Sequence, residues 1–143
     1  MRVISRIAGL LVLLALLMLL IRGDLLSRSP LVILGQVVGV LLPVWARTSF
    51  HAGQFRVVAA PSGGPLLTHG PYRYIRHPMY AGALLLLWST VFGHWSLTNA
   101  ALAVTATAAT AVRIRDEERA LREHFPRYAD YCQRTKRLVP YVF

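Results

Sequence analysis

Arg76, His77, Tyr80 and Glu118 are the side chains in this chain best suited to gripping a charged ligand beside a membrane, and their spacing shows how. The stretch from Leu67 to Gly82 packs two prolines, two glycines, three tyrosines, two arginines and two histidines against an apolar run. A residue before proline is pushed out of the α region, and proline itself suits the first helical position. His77 is therefore expected extended, with Pro78 opening a helix. Free backbone N–H groups and the helix dipole make such a start a natural seat for an anion. Some forty residues on, Ile114, Glu118, Leu121 and Phe125 recur at spacings of four, three and four, which puts a carboxylate on an apolar helical stripe. A carboxylate facing a membrane bundle is costly unless a cation meets it, so Glu118 needs a positive partner, Arg76 or a cationic ligand. Glu117 lies toward Arg113, where an i,i+4 ion pair would account for it.

Two patterns, in this order, carry a family resemblance: Gly70-x-Tyr72-x-x-x-Arg76-His77-Pro78-x-Tyr80-x-Gly82, then Glu117-Glu118-x-x-Leu121-x-x-x-Phe125-x-x-Tyr128-x-x-Tyr131. Together they resemble the isoprenylcysteine carboxyl methyltransferases and the related phospholipid N-methyltransferases, over roughly the second half of the chain. Pro126 departs from that pattern, standing where a glycine is common. The resemblance implies S-adenosylmethionine as cofactor and Gly70, Tyr72, Arg76, His77, Pro78, Tyr80, Gly82, Glu117 and Glu118 as the residues that hold it. Glu118 would meet its ammonium, and the helix start at Pro78, with His77 and Arg76, its carboxylate. Tyr72 and Tyr80 are placed to border the sulfonium or adenosine. A carboxylate acceptor needs only a cation to hold it, such as Arg113 or Arg137; an amine acceptor needs a base, for which His77 or a tyrosine such as Tyr131 is available. Sterol and steroid reductases share a similar His-Pro-x-Tyr-x-Gly segment, so an NADPH-dependent oxidoreductase is the second reading. A membrane scaffold without activity is the third, but it leaves the polar density around His77 without a purpose.

Composition says where this chemistry sits. The chain is 55% apolar and yet carries 16 lysines and arginines, with its apolar residues in long blocks. That is the signature of a small integral membrane protein rather than of a nucleic-acid binder, despite a net charge of +10. A lone cysteine, Cys132, excludes an internal disulfide and any cysteine-based metal cluster. The histidines are scattered with no helical i,i+4 pair, so no metal site is expected.

The expected fold is all-α, a single membrane domain of four transmembrane helices at about 3–21, 31–46, 79–95 and 97–112, with a C-terminal cytoplasmic helix. Cofactor segments are expected at 67–82 and 113–137. The first apolar run lacks a small-x-small cleavage site and reads as a retained span. In the second, Gly35-x-x-x-Gly39 allows close helix packing, Pro43 interrupts the helix and Gln36 reads as interhelical glue. Pro61-Ser-Gly-Gly-Pro65 reads as a turn, and His94 to Asn99 as a short polar one. Arg2, Arg6, the arginines from Arg47 to Arg76 and the basic residues from Arg113 onward fall on one side of such a bundle. Only Arg22 and Arg28 fall on the other, so both termini are expected in the cytoplasm. The partners implied are membrane lipids and a lipophilic small-molecule or lipid substrate.

Overall fold

A computed structural model describes Leu10 and residues 14–21, 29–50 and 66–140. Most of the first expected span, together with Arg28, His51, Arg56 and the 61–65 turn, lies outside the described residues. A helical segment at 14–21, α1, is followed by α2 (Pro30–Thr48), a 3-10 turn (Gly70–Arg73), α3 (Pro78–Gly93), α4 (Leu97–His124) and α5 (Tyr128–Arg134). Among the described residues there is no strand, only an isolated parallel bridge between Ile75 and Lys136.

Local chemistry sets the helix ends. Pro30 and Pro78 open α2 and α3, and the Ser96 side chain caps α4 by accepting from the Asn99 N–H. Where a span ending near 112 and a separate helix after it were expected, α4 is a single helix to His124. It holds no glycine or proline to break it, and at 28 residues it is about 42 Å long, so its charged end stands beyond its apolar part. The helix stops before Pro126, as the residue preceding a proline resists the α conformation.

Small residues decide how the helices meet. A Cβ on Gly39 would lie 2.7 Å from the backbone nitrogen of Leu86, and one on Gly82 would lie 2.3 Å from Pro43 Cδ. The backbones of α2 and α3 thus touch where Gly39, Pro43 and Gly82 meet, and Gln36 donates to Thr90 Oγ1 across the same interface at 3.2 Å. On α4, Ala103 and Ala106 are fully buried against Leu87 and Val91 of α3 and Leu19 of α1. Thr105, Thr107 and Thr110 return their hydroxyls to the carbonyls four residues back, which keeps these hydroxyls partnered along an apolar helix.

By length and composition α2 and α4 can each cross a membrane. α3 is as apolar but has 16 residues. The outer face of α2 is bare hydrocarbon, with Leu31, Leu34 and Leu41 all more than half exposed. Lipid is the solvent that such a face fits.

Candidate active site

The start of α3 and the charged half of α4 meet at the segment expected to carry chemistry. His77, expected extended, precedes Pro78 with φ −125° and ψ 57°, outside the helical region but short of fully extended, and is buried. Its ring stacks beside Tyr80 with centroids 5.7 Å apart. The imidazole stands between two carboxylates, Nδ1 at 3.9 Å from Glu117 Oε2 and Nε2 at 3.5 Å from Glu118 Oε1. At that separation Nε2 has charge for a neighbour but no hydrogen-bond partner among the described residues.

Glu118 is 3% exposed, and two protein arginines supply the cation it needs. Arg76 Nε donates to Oε1 at 2.9 Å, while Arg137 donates through Nε and Nη2 at 3.1–3.3 Å. Burial works to raise the Glu118 carboxyl, but His77, Arg137 and Arg76 together outweigh it and hold the group well below the usual carboxylate range. The same hydrogen bonds push the Arg137 guanidinium up. A depressed carboxyl stabilises the fold fully above the ordinary glutamate value of about 4.3 and loses that contribution as pH falls below it. The melting temperature of the ligand-free protein is therefore expected to hold from neutral pH to about 5 and to drop below about 4, a drop that Glu118→Gln makes shallower. An unchanged acid limb in that variant would remove Glu118 from the account.

Glu117, at 30% side-chain exposure, does not stand simply as an i,i+4 partner of Arg113. The Tyr80 hydroxyl sits between them, donating to Glu117 Oε2 at 2.9 Å and accepting from Arg113 Nε at 2.5 Å. The Arg113 guanidinium also lies 5.5 Å from the Tyr80 ring centre.

A third wall comes from the tail. Arg76 N–H donates to Lys136 O at 2.7 Å, His77 N–H to Arg137 O at 3.0 Å and Lys136 N–H to Tyr74 O at 3.1 Å. Arg76 Nη1 adds bonds to the carbonyls of Cys132 and Thr135. Thr135 and the backbone of Lys136 were not among the expected site residues, and no spacing signal points to them, because this pairing joins segments sixty residues apart. Tyr131 Oη donates to Tyr72 O at 2.7 Å, tying α5 to the 3-10 turn. Burial pushes the phenols of Tyr72, Tyr128 and Tyr131 above the usual tyrosine range, so at neutral pH they stay protonated and do not act as bases.

Two expected glycines have structural occupations of their own. Gly70 has φ +59°, a conformation that side chains resist, and a Cβ there would lie 2.3 Å from Ser49 Oγ. Gly82 faces Pro43 and the Gly39 carbonyl of α2. Among the described residues no group of three or more His, Cys, Asp or Glu side chains could hold a metal ion.

The family model described as phospholipid methyltransferase matches residues 31–128, which take in α2, the His77 segment and both glutamates. The chain belongs to the phospholipid methyltransferase family. Three relatives of this family member are informative. The cobalt-zinc-cadmium resistance protein CzcN of Cupriavidus metallidurans is 36% identical over 58% of this chain and 39% of its own length. Protein-S-isoprenylcysteine O-methyltransferase B of Arabidopsis thaliana is 38% identical over 54% of this chain and 40% of its own. A probable protein-S-isoprenylcysteine O-methyltransferase of Oryza sativa subsp. indica is 33% identical over 78% and 59%. The chain thus spans about four-tenths to six-tenths of the length of these relatives. It is the methyltransferase resemblance of the His77 segment, and not the reductase one, that the family model carries.

Proposed function

We propose that the chain is an S-adenosylmethionine-dependent methyltransferase of the membrane, acting on a nucleophile of a lipophilic substrate. One observation carries the reading: a buried carboxylate, two guanidiniums and an imidazole converge at the start of an apolar helix, within the segment matched by the family model.

The cluster suits the cofactor's charges. His77 offers a buried ring nitrogen without a hydrogen-bond partner beside the N–H groups of a helix start, which a ligand carboxylate would satisfy. Glu118 offers a carboxylate to an ammonium, and Arg137, whose side chain is 39% exposed, is the partner able to swing away from it. A 370 Å³ cleft lined in part by Glu118, Arg115 and Arg137 opens this carboxylate to the aqueous side. When bound, the cofactor supplies an electrophilic methyl group on a sulfonium. The protein's own contribution is to hold an acceptor in line with that group and to keep water out. Arg113 and Arg137 bring positive charge for an acceptor carboxylate. The neutral tyrosines leave His77 as the side chain to take a proton from an amine.

An apolar cleft of 560 Å³ lies on the other side of the motif, between Leu42 and Trp45 of α2, Ala81 and Leu85 of α3, and the tail at Val139. It fits the aliphatic part of an acceptor arriving sideways from the bilayer. In this reading the chain has four spans with both termini cytoplasmic. Single cysteines in a Cys132→Ser background test the topology: those at Arg56 and Arg122 are expected to react from the cytoplasmic side, those at Arg28 and His94 from the opposite one. Labelling of Arg28 and Arg56 positions from the same side would refute it.

The function itself is tested by calorimetry of S-adenosylhomocysteine against the purified protein, with NADPH titrated in parallel. Binding of the first and not of the second is expected. Binding of NADPH alone would overturn the proposal in favour of a reductase, and binding of neither in favour of a scaffold.

A further inference from the structure

The largest of the described clefts, 910 Å³, is not part of the cluster around Glu118. It lies between the segment leading into the 3-10 turn, the end of α4 and the outer side of α5. Three guanidiniums border it, those of Arg73, Arg127 and Arg134, against one carboxylate, Asp130. None of the three makes an ion pair among the described residues, whereas Arg119 and Arg137 elsewhere on this surface do. Among the described residues Arg73 has the face of Tyr74, 6.0 Å away. Leu66, Phe125 and Pro126 give the same cleft an apolar floor.

On the membrane placement proposed above, the packing sets its depth. Glu117 and Glu118 are level with the start of α3, through Tyr80 and His77. Phe125 is seven residues further along the chain, at the end of α4. That places it about 10 Å beyond the start of the apolar helix. This is headgroup depth, where arginines attract anionic lipid and an apolar floor still has hydrocarbon within reach.

We propose that this cleft is a binding site for a phosphate-bearing amphiphile, an anionic membrane phospholipid whose phosphate is held by Arg73, Arg127 and Arg134 and whose upper chain lies over Leu66 and Phe125. The site is separate from the Glu118 cluster and rests only on the membrane placement proposed above, not on methyl transfer. It has a mechanical link to the cluster all the same. Thr135 and Tyr131 line the cleft, Thr135 O accepts from Arg76, and Tyr131 holds Tyr72. A lipid seated there would brace the tail that closes over His77.

The test titrates the full chain in neutral maltoside micelles with dihexanoylphosphatidylglycerol, with dihexanoylphosphatidylcholine and inorganic phosphate as parallel arms. Saturable binding of the glycerol lipid, at least tenfold tighter than either comparator, is expected. Equal affinity for inorganic phosphate would overturn the lipid assignment in favour of a soluble anion, and equal affinity for the choline lipid would overturn the charge argument. Arg73→Gln/Arg127→Gln/Arg134→Gln is expected to weaken binding by about a hundredfold, as three arginines near an anionic surface each contribute severalfold. Arg119→Gln/Arg122→Gln removes charge from outside this cleft and is expected to leave binding unchanged; a loss of comparable size per arginine there would reduce the effect to net charge. Should the first triple variant fail to fold, Arg134→Gln alone is expected to lose about fivefold, and parental affinity in that variant overturns the site. Binding of S-adenosylhomocysteine, measured on the same preparations, reports the methyltransferase reading independently.

Discussion

Glu118→Gln is expected to lower the stability of the ligand-free protein and to abolish measurable binding of S-adenosylhomocysteine, with the neighbouring Glu117→Gln doing little of either. The carboxylate of Glu118 is buried with the guanidinium of Arg76, whose side chain is 9% exposed, so the substitution leaves that guanidinium without a counter-charge in a dry setting. Removing one partner of a buried pair costs about 3–5 kcal/mol. The lower end applies here, because Arg76 keeps the carbonyls of Cys132 and Thr135 and Arg137 can turn to water. Cofactor binding is lost for a second reason, since the ammonium loses its only desolvated carboxylate in this cluster. Glu117 is part-exposed and held by a phenol, and its replacement costs about 1 kcal/mol. Melting temperature and S-adenosylhomocysteine affinity of the two variants separate the effects. A drop in stability with affinity intact would make Glu118 a structural ion pair alone, and a greater loss from Glu117→Gln would reverse the assignment.

Gly39→Ala is expected to disrupt the protein severely and Gly35→Ala to be mild, although both sit four residues apart on one helix. Alanine in place of glycine inside a helix normally stabilises by about 1 kcal/mol, so a loss is diagnostic. At Gly39 the new carbon would meet the Leu86 nitrogen at 2.7 Å and its Cα at 2.9 Å, backbone atoms that move only if α3 moves. At Gly35 the obstacle is Ser89 Oγ, the end of a side chain that can rotate away. Overpacking of this kind costs about 1–3 kcal/mol. Pushing α3 outward would also displace His77 and Tyr80, and an error of about 1 Å in a reacting site is enough for a hundredfold loss. Thermal unfolding in micelles, with S-adenosylhomocysteine affinity alongside, checks the pair. Equal tolerance of both alanines would show that the helices do not touch at Gly39.

Local rules were legible in the chain because they act over a few residues. The proline at 78 opens a helix whatever surrounds it, and the four-three-four spacing puts Glu118 on the buried side of α4. The fourth span and the helix after it were both legible; that they form one helix follows from the absence of any breaker between Leu97 and His124. Gly35-x-x-x-Gly39 and Gln36 announced a close, hydrogen-bonded helix pair, and the partner proved to be α3.

What the sequence determined by itself is the list of charges and the elements that carry them. Tertiary structure decided which charges meet. Arg76 and Arg137 are sixty residues apart, yet both close on Glu118, because a parallel pairing of 74–77 with 136–137 brings the tail across the start of α3. No periodicity encodes such a pairing, since backbone hydrogen bonds carry no side-chain signature. The same holds for Tyr80, whose phenol bonds both Arg113 and Glu117 because α3 packs against α4. A buried carboxylate announces that it needs a cation; which cation reaches it is settled by the geometry of the whole chain.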